Sequence, residues 1–276
     1  MRIIRLLAAG LLLALLGACG AATLIQLNTT FVDLSKNNSD LESMRKSGGL
    51  AELNYEAAVE GLRQRFAENG DAAVDAAKKA DKAAAKVSFL NVAARSYLES
   101  GPVADGKIPT ISDEGRTLCQ GDELKGLNAL PTTCGYFYIV DAQAISNEQT
   151  RSQKALVRAA AAARAKGGEL SVESAKRIVA TFRGYGEARK VLAGGEGKID
   201  WVNASPELRT VFLRQQDLIY CNAADVPLLL PDAPQTGPDW DRHKADEEMT
   251  AALGQWIAAL RQRPGGFDRA KACARR

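Results

Sequence analysis

The strongest nucleophiles and metal ligands in this chain are five cysteines and a single histidine. Cys119, Cys134, Cys221 and Cys273 stand in its body, no two of them within four residues, so the closely spaced pairs that build a zinc site are missing. His243 lies between Arg242 and Lys244 at the polar start of a helical pattern, which is the setting of a surface imidazole rather than a catalytic base. One imidazole cannot build a His-rich metal centre, and a Cys and His nucleophile pair needs a free thiol. A Ser, His and Asp triad lacks the Gly-x-Ser-x-Gly elbow that presents its serine. The expectation is therefore no catalytic constellation, no metal and no cofactor.

Carboxylates are more numerous. A glycosidase acting on cell-wall glycan needs only two acids about 5 to 10 Å apart. Glu52, Glu56 and Glu60 recur every four residues and form an acidic stripe on one helix face, and Asp246, Glu247 and Glu248 cluster farther on. Both groups read as solvated surface. Gly194, Gly195 and Gly197 do not make a phosphate loop, because no Gly-Lys-Ser or Gly-Lys-Thr follows. Trp201, Trp240 and Trp256 are the large aromatic anchors. Trp256 fits an apolar helix face, whereas Trp240, after a proline-rich stretch, is the candidate contact residue of a binding groove.

The start of the chain has a different character. Arg2 and Arg5 precede an uncharged run of Leu, Ala and one Gly over residues 6–16. A spanning helix needs about 20 apolar residues, and a cationic start followed by a shorter run describes an export signal. The run ends in Leu16-Gly17-Ala18-Cys19, which resembles the lipobox of bacterial lipoproteins. The resemblance implies that residues 1–18 are removed, that the Cys19 thiol carries a diacylglyceryl group and that the new amine is often acylated. One acyl chain binds a bilayer marginally and two or three bind it durably, so Cys19 becomes a membrane anchor. Gly20 follows in place of the Asp that retains many such lipoproteins in the inner membrane, which favours the outer membrane, facing the periplasm.

An exported chain meets an oxidising compartment, and the four remaining cysteines then form disulfides. Three connectivities are possible. Cys119 with Cys134 and Cys221 with Cys273 are expected, the first closing a short loop that holds Gly121, Gly126 and Pro131. Lys and Arg total 36 against 33 Asp and Glu, and two of the basic residues fall in the signal. This near-neutral balance gives no electrostatic reason to bind nucleic acid.

The elements that must position these residues read as helices. Residues 19–49 are expected to form a lipidated tether with a short helix near 24–35, and residues 50–276 one helical domain. Tyr55, Ala58, Val59, Leu62 and Phe66 line one face of a helix that Asn69-Gly70 is expected to end. Asp71 caps the next helix, so the two make an antiparallel hairpin. Residues 101–134 read as a long connection with a short helix after Ser112. Tyr136 to Val140 start a buried helix that runs to Gly167-Gly168. Ser171 caps another, which Gly184 and Gly186 disturb, and Gly194 to Gly197 make a loop. Ser205-Pro206-Glu207 opens a further helix, residues 226–237 form an extended loop, and the last long helix covers about 240–262. No pair of strands is expected. The fold class is all-α, with about seven helices in antiparallel hairpins or a bundle, stapled by disulfides.

The function expected from this inventory is a non-enzymatic, membrane-anchored envelope lipoprotein whose helical body scaffolds or binds another envelope protein. A solute- or ligand-binding lipoprotein and a cell-wall glycan hydrolase or inhibitor are the alternatives.

Overall fold

The computed structural model describes residues 18–101, 108–122, 130–202 and 204–274. Residues 1–17, which hold all of the expected signal but Ala18, lie outside them. Among the described residues the fold is all-α: α1 Ala18–Lys46, α2 Glu52–Lys78, α3 Ala83–Ser100, α4 Ile108–Gln120, α5 Leu130–Ala165, α6 Val172–Glu196, α7 Pro206–Asp225, α8 Arg242–Arg261 and α9 Arg269–Cys273. A 3-10 helix at Val226–Asp232 follows α7 where an extended loop was expected. Thr236–Gly237 and Trp240–Asp241 form one two-residue antiparallel pair, against the expectation of no strands. It is a local clasp at the mouth of α8 rather than a sheet.

The chain divides into two compact units. The first runs through Val140 and includes Lys198–Ala204; the second holds Asp141–Gly197 and Ser205–Arg276. The boundary falls inside α5. Phe137, Ile139 and Val140 are buried on one side of it and Leu156 and Ala160 on the other. A single helical period carries both sets, so the sequence pattern does not reveal the handover.

Unit 1 is built on α1, α2 and α3. The expected tether and short helix are replaced by one 29-residue helix, α1. Ala21, Leu24, Leu27, Phe31 and Leu34 recur every three or four residues and are buried, so tertiary packing orders the whole length. Phe31 and Leu34 meet Leu62 and Phe66 of α2 in one cluster, with the two phenyl rings edge to face at 5.8 Å. Asn69 and Gly70 do not end α2, which continues to Lys78, and the hairpin turn falls at residues 79–82 instead.

Packing explains both departures. A Cβ on Gly70 would collide with ring carbons of Tyr97, so the glycine lets α2 and α3 approach closely. Asn69, buried, donates to Leu27 O at 3.3 Å and to Ser96 Oγ at 3.0 Å, joining the three helices through one amide. Asp71 lies inside α2 rather than at the start of a new helix, and its carboxylate accepts from the Tyr97 hydroxyl at 2.6 Å. Burial, with Asp71 second, pushes that phenol well above its ordinary pKa.

Unit 2 packs α6, α7 and α8 around Ile178, Phe182, Tyr185, Leu208, Phe212, Ile219 and Met249. Two helix starts follow the sequence closely. Ser171 Oγ accepts from Ser174 N at 3.2 Å, and Ser205 Oγ accepts from Leu208 N at 3.1 Å ahead of Pro206. The glycines of α6 neither disturb it nor make a loop, and the helix runs through Gly184, Gly186, Gly194 and Gly195 to Glu196. Each interior glycine costs about 1 kcal/mol, which one well-buried apolar face offsets.

A polar seam joins α5 to α6. Tyr185 OH lies 3.0 Å from Thr150 Oγ1 and donates to Gln153 Oε1 at 2.8 Å, while Ser152 and Thr181 pair at 2.8 Å.

Candidate functional site

Cys19 is the second residue of α1, the helix whose Ala21, Leu24, Leu27, Phe31 and Leu34 are buried. Residues 18–32 contain no charge, and the first charged side chain of α1 is Asp33. Opposite the buried stripe, Ile25 and Val32 are 54% and 60% exposed, one pair of helical turns apart. Among the described residues no helix is long and apolar enough to cross a membrane.

The cysteines join as the loop argument expects. Cys119 bonds to Cys134, with Cα atoms 6.0 Å apart, and ties α4 to the start of α5. Cys221 bonds to Cys273, Cα atoms 5.5 Å apart, and ties α9 to α7 across 52 residues of sequence. Helix α9 buries none of its own residues, so this bond is its principal attachment.

The acids singled out by their spacing behave as surface groups. Glu52 pairs with Arg45 at 3.4 Å, Glu60 with Arg63 at 3.6 Å and Glu247 with His243 at 3.2 Å, all substantially exposed. Glu56 and Asp246 are exposed as well. Glu248 meets Arg183 through two parallel hydrogen bonds of 2.9 Å, and the hydrogen bonding to the guanidinium holds its carboxyl below the usual range. Among the described residues, no group of three His, Cys, Asp or Glu side chains could hold a metal ion.

Trp240, the candidate contact residue, is buried, and its indole N–H donates to Pro234 O at 3.0 Å, closing the loop that leads into α8.

Trp256 forms the floor of a cleft of about 370 Å³ between α6, α7 and the end of α8. Leu192, Ile219, Tyr220 and Leu260 line its walls, with Pro264 at one edge. The ring is held from below: Phe182 stacks on it at 6.2 Å and Tyr220 tilts against it at 6.2 Å, itself braced edge to face by Phe267 at 5.0 Å. Arg189 reaches over the ring, its guanidinium carbon 5.3 Å from the centroid. Partial burial depresses the Arg189 pKa, and no carboxylate opposes that shift. Arg263, which also lines the cleft, is different: it holds Asp217 at 2.7 Å in a mostly buried pair, and its Nε donates to Gly266 O.

One lining residue carries an unmet acceptor. Gln216 Oε1 is buried and accepts no hydrogen bond from the described residues. Such groups are costly unless water or a ligand completes them.

A local signal pointed to this place. Ile178, Phe182, Tyr185, Arg189 and Leu192 follow one another at alternate steps of four and three, the spacing of one buried helix face. A guanidinium in the fourth slot of an apolar seam is out of pattern, and it marks where the core opens.

Comparison with known proteins finds no match among protein-family models, curated protein sequences or solved structures.

Proposed function

We propose that this protein is a lipid-anchored lipoprotein of the bacterial envelope, held through Cys19 to the outer membrane on its periplasmic side, and that its helical body scaffolds another envelope protein. The observation that carries the reading is the run of α1 from the lipobox-like motif straight into the core of unit 1. A lipid attached at Cys19 is joined by one continuous helix to Phe31 and Leu34, which pack on α2. A rigid joint of this kind fixes unit 1 at the bilayer surface, whereas a flexible tether lets a body sample a wide volume. Holding a partner at a set place is the use of such rigidity.

Metabolic labelling with a palmitate analogue tests the anchor in cells expressing the chain from its own start. Labelled, membrane-associated protein is expected for the wild type, and unlabelled protein for Cys19→Ser. Label retained by the variant sinks the assignment. For the scaffold, a photo-crosslinking residue at Val32 or Leu53, both exposed, should give one discrete adduct in the envelope. The same diffuse adducts from these sites as from exposed polar positions on α2 would remove it.

The Trp256 cleft favours a second reading, a ligand-binding lipoprotein. Its volume lies within the range of small-molecule sites, about 300 to 1,000 Å³, and an apolar lining with a few convergent polar groups is their usual composition.

A further inference from the structure

The cleft of unit 2 has a definite chemical polarity. Its floor is aromatic, its walls are aliphatic, and one cation projects over it without a carboxylate partner among the described residues. Arg189 is half-buried, sets its guanidinium carbon 5.3 Å from the centroid of the Trp256 ring and forms no hydrogen bond or ion pair with the described residues. A cation held over a ring by its charge still has five N–H groups to donate in the guanidinium plane. A carboxylate offered to an edge of that plane can take two parallel hydrogen bonds. The other charges of the cleft do not satisfy it. Arg263 is committed to Asp217, and Glu196 is exposed at the rim, where water screens it. The depressed pKa of Arg189, caused by burial alone, agrees that no acid stands near it.

We propose that this cleft binds a small aromatic carboxylate that carries a hydroxyl or amine donor, its rings lying on Trp256 between Leu192 and Ile219 and its carboxylate on the edge of Arg189. The unmet acceptor Gln216 Oε1 takes the ligand's O–H or N–H. A purely apolar ligand desolvates the Arg189 guanidinium and Gln216 Oε1 and pairs neither, which is unfavourable. A dication or amine meets Arg189 with like charge. An anion with no apolar part forfeits the aromatic floor. The proposal rests on the ligand-binding reading and adds the chemical class and the two residues that select it.

The test uses the full chain as the cell produces it, purified in a non-ionic maltoside, with titrations into empty micelles subtracted. The probe is 6-hydroxy-2-naphthoate, and its neutral comparison is 6-hydroxy-2-naphthamide, nearly the same shape without the charge. Calorimetry should show saturable binding of the acid at one site and binding of the amide weaker by about tenfold or more, the difference expected for a charge-assisted hydrogen bond. Arg189→Gln should abolish the difference between acid and amide, and Arg189→Lys should restore part of it. Arg189 makes no hydrogen bond or ion pair with the described residues, so Arg189→Gln loses only the contact with Trp256, and a cooperative unfolding transition near that of the wild type checks that the fold persists. Equal affinity of the wild type for acid and amide, or an acid preference that survives in Arg189→Gln, overturns the proposal. If acid and amide bind equally and Trp256→Ala loses both, the charge assignment is wrong while the ligand-binding reading stands. If neither binds, the aromatic-carboxylate class is wrong. A scaffold without a ligand site would show that last result and still label at Cys19.

Discussion

Unit 1 and unit 2 are both helical, yet they close in opposite ways. In unit 1 the helices approach until nothing separates them: Gly70 admits the ring of Tyr97, Gly115 admits the ring of Phe137, and one buried amide, Asn69, bonds to two other helices. In unit 2 the helices are held apart by large groups and joined by long-range links. Phe182, Tyr220 and Trp256 stack between α6, α7 and α8, Arg183 reaches Glu248, Arg164 reaches the carboxylate of Asp232 at 2.8 Å, and Cys221 holds Cys273. Small residues at a crossing leave no room for a ligand, and aromatic spacers leave some. Aromatic spacers of this kind are why the Trp256 cleft lies in unit 2.

The largest effect is expected from removing the covalent link of unit 2. In the chain-entropy account, a crosslink closing 52 residues contributes about 4 kcal/mol, against about 3 kcal/mol for the 15-residue loop of Cys119 and Cys134. The pair Cys221→Ala and Cys273→Ala should therefore lower the urea midpoint of the tryptophan signal, since Trp240 and Trp256 both belong to unit 2. Helix α9, which buries nothing, should come free, and trypsin should cut after the exposed Arg269 and Lys271 long before it cuts elsewhere. An unchanged midpoint with α9 still protected would mean that Phe267 on Tyr220 and Arg263 on Asp217 suffice to hold this end.

How far the sequence foretold each unit follows from the same contrast. Caps are local chemistry, so Ser171 and Ser205 with Pro206 were legible residue by residue, and so was the apolar face from Tyr55 to Phe66. The cysteine pairing was legible because a loop with two glycines and a proline can turn back on itself. The errors share one cause. Asn69-Gly70 carries the local signature of a helix end, but the chain puts it at a crossing, where the missing side chain is filled by Tyr97 from 27 residues away in the case of Gly70. Gly184 likewise faces Gln149 across the seam with α5. Glycine states that a Cβ is unwelcome without stating whether the reason is a turn or a neighbour. Trp240 and Trp256 differ in their surroundings for a related reason. The indole near a proline-rich loop found an acceptor within that loop, at Pro234, and the indole on the regular apolar face was left with a cation above it.

A second prediction tests the close crossing of unit 1 with a change of sign. Gly70→Ala places a methyl group against Tyr97 and should destabilise unit 1 by about 1–3 kcal/mol. Gly61→Ala lies on the same helix with nothing within 4 Å of the new carbon, and should stabilise it by about 0.5–1 kcal/mol through helix propensity. Far-UV circular dichroism during thermal unfolding measures both. If the two substitutions shift the midpoint in the same direction, packing at Gly70 is not what lets α2 run on past the expected end.

The smallest effect belongs to the surface link of unit 2, and it is read through pH. Arg183 holds the Glu248 carboxyl below its ordinary pKa by two hydrogen bonds and by charge. A carboxylate whose folded pKa is depressed binds its proton less readily in the folded state than in the unfolded one. Its contribution to stability is therefore fully present above the ordinary glutamate range, around pH 4.3, and disappears as pH falls through the folded value. Both side chains are well exposed, 64% and 40%, so solvent screening limits the contribution to about 1 kcal/mol or less. Glu248→Gln should accordingly be less stable than the wild type at pH 7, and the two should converge towards pH 3, where the wild-type carboxyl is itself protonated. Arg183→Gln should show the same convergence, and molar salt should shrink the gap at pH 7. A gap that stayed constant from pH 7 to pH 3 would assign the loss to the packing of Glu248 on α6 rather than to its charge, and the picture of unit 2 as helices joined by long polar links would lose its best-formed example.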